Sequence, residues 1–285
     1  MAQVGTGKYT YDLIQDYPKL PAGESFGLVS RVQVDSQDRI YLFQRKNPPV
    51  VVFDRDGKYL KSWGASAVTD PHGMRIVNDL VYITDREDSV AAVYTLEGKP
   101  LQILGKRGVH SDTGCEKPAG VVPRAAGPFN YPTELMPGPS GDLYATDGYR
   151  NSRVHRFTRD GQLVKSWGEP GSGPGQFHLP HCIAISPDET LYVGDRSNRR
   201  VQVFSAEGKF LRMWNDMGGP NDIARDKDGI FYIAEQEADG RPPSVSVRDE
   251  NGKILARWGV RHAHGMTVDS RGDIYVGLSS EKSVD

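Results

Sequence analysis

Residues 179–214 read LPHCIAISPDETLYVGDRSNRRVQVFSAEGKFLRMW. A proline-led apolar run gives way to a Pro-Asp turn, and a second run carries Tyr192 and closes at Asp195. A third run ends at Phe204, an Ala-Glu-Gly turn follows, and a fourth run ends at Trp214. Short runs rich in β-branched and aromatic residues, parted by Gly, Pro and Asp, read as antiparallel strands. The same order recurs along the chain. Its second run reappears as IYLFQR (to Arg45), VYITDR (to Arg86), LYATDGYRNSR (to Arg153), FYIAEQ (to Gln236) and IYVG (to Gly277). Its closing tryptophan reappears at Trp63, Trp167 and Trp258, with Leu104 in the one copy that lacks it.

Tryptophan spacings of 47 and 44 residues, and of 104 across the copy that ends at Leu104, give a period in the forties. A period of about forty to fifty residues with four strands per unit is the signature of a propeller blade. We count six copies: 28–68, 69–127, 128–174, 175–217, 218–260 and a short last one, 261–285. A Gly- and Pro-rich insertion near 105–126 lengthens the second. The expected fold is all-β, a six-bladed β-propeller forming one domain over residues 1–285. The N-terminal KYTYDLIQDYP has no blade of its own. It is expected to supply the outer strand of the last blade, covering an edge left open otherwise.

The chain carries 35 Lys and Arg against 37 Asp and Glu, for a net charge of −2, with no basic block. That balance argues against nucleic acid or anionic lipid as the main partner. No run of some 18 apolar residues exists to span a membrane, and the N-terminus lacks the pattern of a secretory leader. Two cysteines are too few for a disulfide framework; Cys182 reads as a buried thiol and Cys115 as a free one. A cytoplasmic protein acting on a small molecule is expected, while the sequence is silent on oligomeric state.

Aligning the copies exposes one shared position before each second run: Ser30, His72, Thr133, His181, Asn221 and His264. It is polar throughout and histidine in every second copy. In a ring of blades such a position faces the central channel, so three imidazoles would meet at one point. Three neutral imidazoles suit Zn²⁺ or a similar divalent ion and leave a coordination position open, the pattern of a catalytic site. The alternative is a polar channel of hydrogen-bonded histidines without metal. His262 and His178 lie close enough in sequence to touch a substrate, whereas His110 and His155 read as surface residues. The loops after the second runs add Arg45, Arg86, Tyr149, Arg150, Arg196 and Glu235. Asp85, Asp147 and Asp195 at the same positions read as acceptors for neighbouring turns.

FNYPTELMPGPSGDLYATDGYRNSRVHRF, followed by GQFHLPHCIAISPDETLYVGDRSNRRVQVF, resembles the NHL-repeat propeller of the peptidyl-α-hydroxyglycine α-amidating lyases, and the likeness runs through all six copies. The resemblance implies a catalytic zinc on His72, His181 and His264, a catalytic tyrosine at Tyr149 and an essential arginine at Arg45. It also implies a structural calcium, whose backbone carbonyl ligands fall on Val32 and Met74. The aspartate that accompanies them directly after the third histidine is Gly265 here, which puts the calcium in doubt. A cysteine that follows the tyrosine in secreted animal members is Arg150, as suits a reducing compartment.

The expected function is a zinc-dependent lyase cleaving the C–N bond of a small α-hydroxy amide, such as a hydroxyglycine amide or ureidoglycolate, to an amide and glyoxylate. Tyr149 would act as base, Arg45 electrostatically and zinc as Lewis acid. Arg86, Arg196, His178, His262 and Glu235 would line the substrate. Two alternatives stay open: a metal-dependent hydrolase or hydratase acting on a lactone, ester or double bond, with Glu235 as its base, and a non-catalytic NHL interaction module.

Overall fold

The turn sequences RDGK, EGK, RDGQ, AEGK and ENGK each place a glycine where the chain must reverse. Gly57, Gly98, Gly161, Gly208 and Gly252 all adopt a positive φ, from 76° to 91°, which costs least at a residue without Cβ. These turns join the third and fourth strands of five successive sheets. The structure, a computed structural model, describes residues 2–285. Its fold is an all-β six-bladed propeller, with five four-stranded antiparallel sheets and one three-stranded sheet. Regular helix among the described residues is confined to one 3₁₀ turn, Arg196–Asn198. No helix is long and apolar enough to cross a membrane.

The blades begin with the strands Val29–Val34, Pro71–Val77, Pro132–Pro137, Pro180–Ile185, Pro220–Arg225 and Ala263–Val268. Four start on a proline, which is tolerated at the first residue of a strand because its missing N–H falls at the end of the ladder. Trp214 pairs with Val201, Trp167 with Val154 and Trp258 with Val245 on the fourth strands. Leu104 pairs with Ala91 in the same register and is buried, so it fills the tryptophan's place.

The chain divides into two compact units. One comprises Met1–Ala67 and Asn221–Asp285, the other Val68–Pro220. The first unit packs two apolar clusters, one around Val245, Met266 and Leu278 and one around Val32, Leu42 and Phe53. The second has clusters around Phe129, Leu135 and Phe157 and around Ile183, Val193 and Phe204. Each cluster takes alternate residues of successive strands, as a sheet buried on both faces requires.

The N-terminal segment departs from expectation. Tyr9–Leu13 pairs with Ala2–Thr6 as a separate two-stranded hairpin and does not join the last sheet. The third strand of that sheet is Ser283–Val284. The N-terminal segment reaches it by one backbone bond, from Tyr17 N–H to Val284 O. Polar groups reinforce the join: Ser283 Oγ donates to Asp16 at 2.6 Å, and Arg261 bridges Asp16 and Asp285.

Candidate metal centre and its phenol

One irregularity recurs at the start of the blades. The pairing of first and second strands slips between Val29 and Arg31, Pro71 and Met74, Pro132 and Glu134, Pro180 and Cys182, and Ala263 and Gly265. The residues bypassed include Ser30, His72, Thr133, His181 and His264. A β-bulge leaves its extra residue outside the ladder and re-aims its side chain. In these five blades the aligned polar position is therefore a bulge residue, which explains how a fully buried strand tolerates imidazole there. His72, His181 and His264 are all buried, and within the second unit the ring centroids of His72 and His181 lie 4.8 Å apart.

The donor set suits a borderline divalent cation. His72 Nδ1 lies 2.7 Å from Thr133 O. A carbonyl only accepts, so Nδ1 carries the proton and Nε2 keeps its lone pair. His264 Nδ1 lies 2.8 Å from Ser30 O, which accepts, and 3.0 Å from Arg31 Nη1, which donates. Imidazoles whose far nitrogen is fixed by a carbonyl are the usual support of a metal-bound histidine. Zinc fits these residues.

Calcium does not fit. Gly265 offers no carboxylate, and a Cβ there would lie 2.6 Å from Arg31 Cα and 2.8 Å from Ser30 O. The neighbouring space is taken by the Arg31 side chain, itself cationic and wholly buried. Val32 and Met74 are buried ladder residues, paired with Leu42 and Ile83.

Tyr149 sits within the second unit, 7% exposed. Its hydroxyl is 3.3 Å from Nε2 of both His72 and His181, and Arg196 Nη1 donates to it at 3.1 Å. The guanidinium carbons of Arg86 and Arg196 lie 4.6 and 5.1 Å from its ring centroid. Arg86 is held in turn by Asp70, at 2.6 Å. Gly148 permits this placement, since a Cβ on it would come within 2.2 Å of Pro180 O. The insertion in the second blade braces the loop: Ala119 N–H donates to Tyr149 O at 2.6 Å, Thr113 Oγ1 donates to Arg150 O, and Arg150 Nε donates to Cys115 O at 2.9 Å. Cys115 and Cys182 are both buried thiols.

The aspartates closing the second strands are structural hubs. Asp147 accepts from Asn130 N–H and Asn151 Nδ2, and Asp195 from the N–H groups of His178 and Leu179 and from Arg200 Nε at 2.9 Å. Asp85 accepts from Thr69 and Asp70 N–H; burial nevertheless pushes its carboxyl above the ordinary value. Glu235 holds the same position in the fifth blade and is equally committed. It accepts from Ser246, from Arg248 Nη2 at 3.3 Å and from Arg257 Nη2 at 3.2 Å. Its oxygens are thus committed to Ser246 and two guanidinium groups, which does not support the role suggested for it. His155 also departs from expectation. It is buried, with Nε2 3.2 Å from Asp147 and Nδ1 2.7 Å from Ser166 Oγ, a structural tie within the third blade. His178 is exposed and His262 half-buried. Arg45 is half-buried and its backbone N–H donates to Leu28 O.

The fold is that of a β-propeller, and a sequence model of the NHL repeat matches residues 177–204. NHL repeat-containing protein 3 of Homo sapiens is 32% identical over 81% of this chain and 68% of its own length. The chain belongs to the NHL repeat-containing protein family. It is also similar to a probable peptidyl-alpha-hydroxyglycine alpha-amidating lyase of Caenorhabditis elegans, with 26% identity over 81% of the chain and 67% of that protein. Peptidyl-glycine alpha-amidating monooxygenase A of Xenopus laevis is 33% identical over 88% of the chain, which spans only 28% of that longer protein. Among solved structures, a gluconolactonase of Xanthomonas campestris superposes with a TM-score of 0.67 at 14% identity, covering 91% of this chain and 85% of its own. A streptogramin B lyase does so with a TM-score of 0.65 at 12%, covering 92% and 93%. These two likenesses show the fold alone.

Proposed function

We propose that the protein is a divalent-metal-dependent lyase that cleaves the C–N bond of a small N-acyl-α-hydroxyglycine or ureidoglycolate, releasing an amide and glyoxylate. The observation that carries this reading is the placement of the Tyr149 hydroxyl, between two imidazole nitrogens and under an arginine donor. His72, His181 and His264 would hold the ion, preferably zinc. When bound, it supplies Lewis acidity to the substrate's oxygen.

The chain's own residues do the rest. Tyr149 takes the proton of the substrate hydroxyl. The oxygen's electron pair forms the carbonyl as the C–N bond breaks, and the nitrogen leaves with that bond's pair. The same proton then passes from Tyr149 to the nitrogen, so no further reactant is consumed. Arg196 and Arg86 offset the negative charge that Tyr149 bears before the first transfer and again after the second, and Arg45 is assigned a further electrostatic role toward the substrate. The likeness to a protein named as an amidating lyase supports this reaction class. The hydrolase alternative loses its base in Glu235, which its two arginines hold.

The test is direct. Zinc-loaded protein is incubated with an N-acyl-α-hydroxyglycine and with ureidoglycolate, and glyoxylate is measured. Release by the wild type, lost in Tyr149→Phe with zinc content unchanged, is the expected result. No glyoxylate from either compound refutes the lyase.

A further inference from the structure

Arg31 immediately follows the bulge residue of the first blade, and its guanidinium is wholly buried. Nη1 lies 3.0 Å from Ser30 O, 3.0 Å from His264 O and 3.0 Å from His264 Nδ1. Nη2 reaches Asn221 O at 3.5 Å, and Nε lies 3.6 Å from Asp222 Oδ2. Asp222 is itself fixed by the N–H groups of Ile223 and Met266, both at 2.8 Å. One side chain thus gathers backbone carbonyls from the first strands of the first, fifth and sixth blades, and a carboxylate besides. Carbonyls and a carboxylate converging on a buried positive charge are the ligand set of a hard cation.

We propose that Arg31 is a resident cation, doing in this chain what a bound structural ion would otherwise do, and that it positions His264 for its ligand role. The second half rests on the metal reading above. Proton counting supplies the argument. Nη1 has two hydrogens and three acceptors at 3.0 Å, the carbonyls of Ser30 and His264 and the ring atom His264 Nδ1. With the two carbonyls taking the hydrogens, His264 Nδ1 donates its own proton to Ser30 O, at 2.8 Å. That leaves Nε2 unprotonated and available. If Arg31 gave a hydrogen to Nδ1 instead, the proton would sit on Nε2 and block coordination. Gly265 completes the arrangement, because only a residue without Cβ passes Arg31 Cα at this distance. Arg31 acts through His264 and through the backbone, so it is a positioning residue.

The experiment uses the full chain in three forms: wild type, Arg31→Lys, and Arg31→Met combined with Asp222→Leu. Replacing both buried charges avoids leaving one unpaired. Unfolding temperature is measured with calcium and with a calcium chelator, and zinc affinity by competition with a chromophoric chelator. The expected results are a wild-type unfolding temperature indifferent to calcium and, in the folded double variant, zinc binding weakened about ten- to a hundredfold. Arg31→Lys, which keeps the charge but not the fork, falls between. Stabilisation of the wild type by calcium overturns the resident cation. Unchanged zinc affinity in the double variant overturns the positioning of His264. Should the wild type bind no zinc, it is the metal reading that fails, and the calcium comparison still judges Arg31. Should the double variant not fold, Arg31→Lys and the calcium comparison decide.

Discussion

Single residues here are held by more contacts than their sequence neighbourhood suggests. Tyr149 is the clearest case, and Tyr149→Phe removes its hydroxyl while keeping the ring between Arg86 and Arg196. If it is the base, turnover should fall about a hundred- to ten-thousandfold, with zinc binding preserved; steady-state kinetics and metal analysis check both. Arg196→Lys keeps the charge but loses the planar fork, a change that is rarely neutral at stacked sites. We expect lower kcat with little change in KM, the mark of an interaction made in the transition state. The histidine triad and Tyr149 were legible because they recur in register or stand out in a polar loop. The partners of Glu235 were hidden, because Arg248 and Arg257 lie one and two strands further on. His155 was misread because HRF alternates like a half-exposed strand, while Ser166 and Asp147 enclose it in space.

At the scale of elements, the aspartate hubs govern the loops that carry function. Asp195 ties the turn before its blade to the 3₁₀ turn Arg196–Asn198, accepting from Asn198 Nδ2 at 2.8 Å and from Arg200. Asp195→Ala strips a buried guanidinium and two N–H groups of their acceptor. We expect a loss of about 3–5 kcal/mol, visible in chemical denaturation, together with reduced turnover as Arg196 loses its anchor. The blade count and the turn chemistry were readable from period and glycine placement. The bulges were not, because register belongs to a pair of strands and one strand's spelling does not reveal it. Bracing of the Tyr149 loop by the insertion was equally hidden, since nothing in a Gly- and Pro-rich stretch names its partner.

On the molecular scale, the N-terminal segment is fastened to the last blade by charge. The hydrogen bond from Ser283, and then Arg261, hold the Asp16 carboxyl below its ordinary value of 3.8. A carboxyl depressed in the folded state contributes stability above its unfolded value and loses it as pH falls through the folded one. Between neutrality and about pH 5 the join should therefore hold. Below pH 3.8 it should weaken, and hydrogen exchange near Tyr17 and Val284 should rise before the blade cores open. Asp16→Asn should abolish that acid step while leaving the neutral-pH pattern close to wild type. Expecting the segment as an outer strand named the correct neighbour and the wrong form of attachment. An alternating pattern shows that a stretch pairs, and leaves open with what.

Because the bulge residue stands outside the in-and-out alternation, exchanging it disturbs neither face of its sheet. Ser30 and Thr133 occupy that place as His72 does. The scaffold thus keeps its chemistry on a few pegs that serine, threonine and histidine can each occupy without a change in the blade.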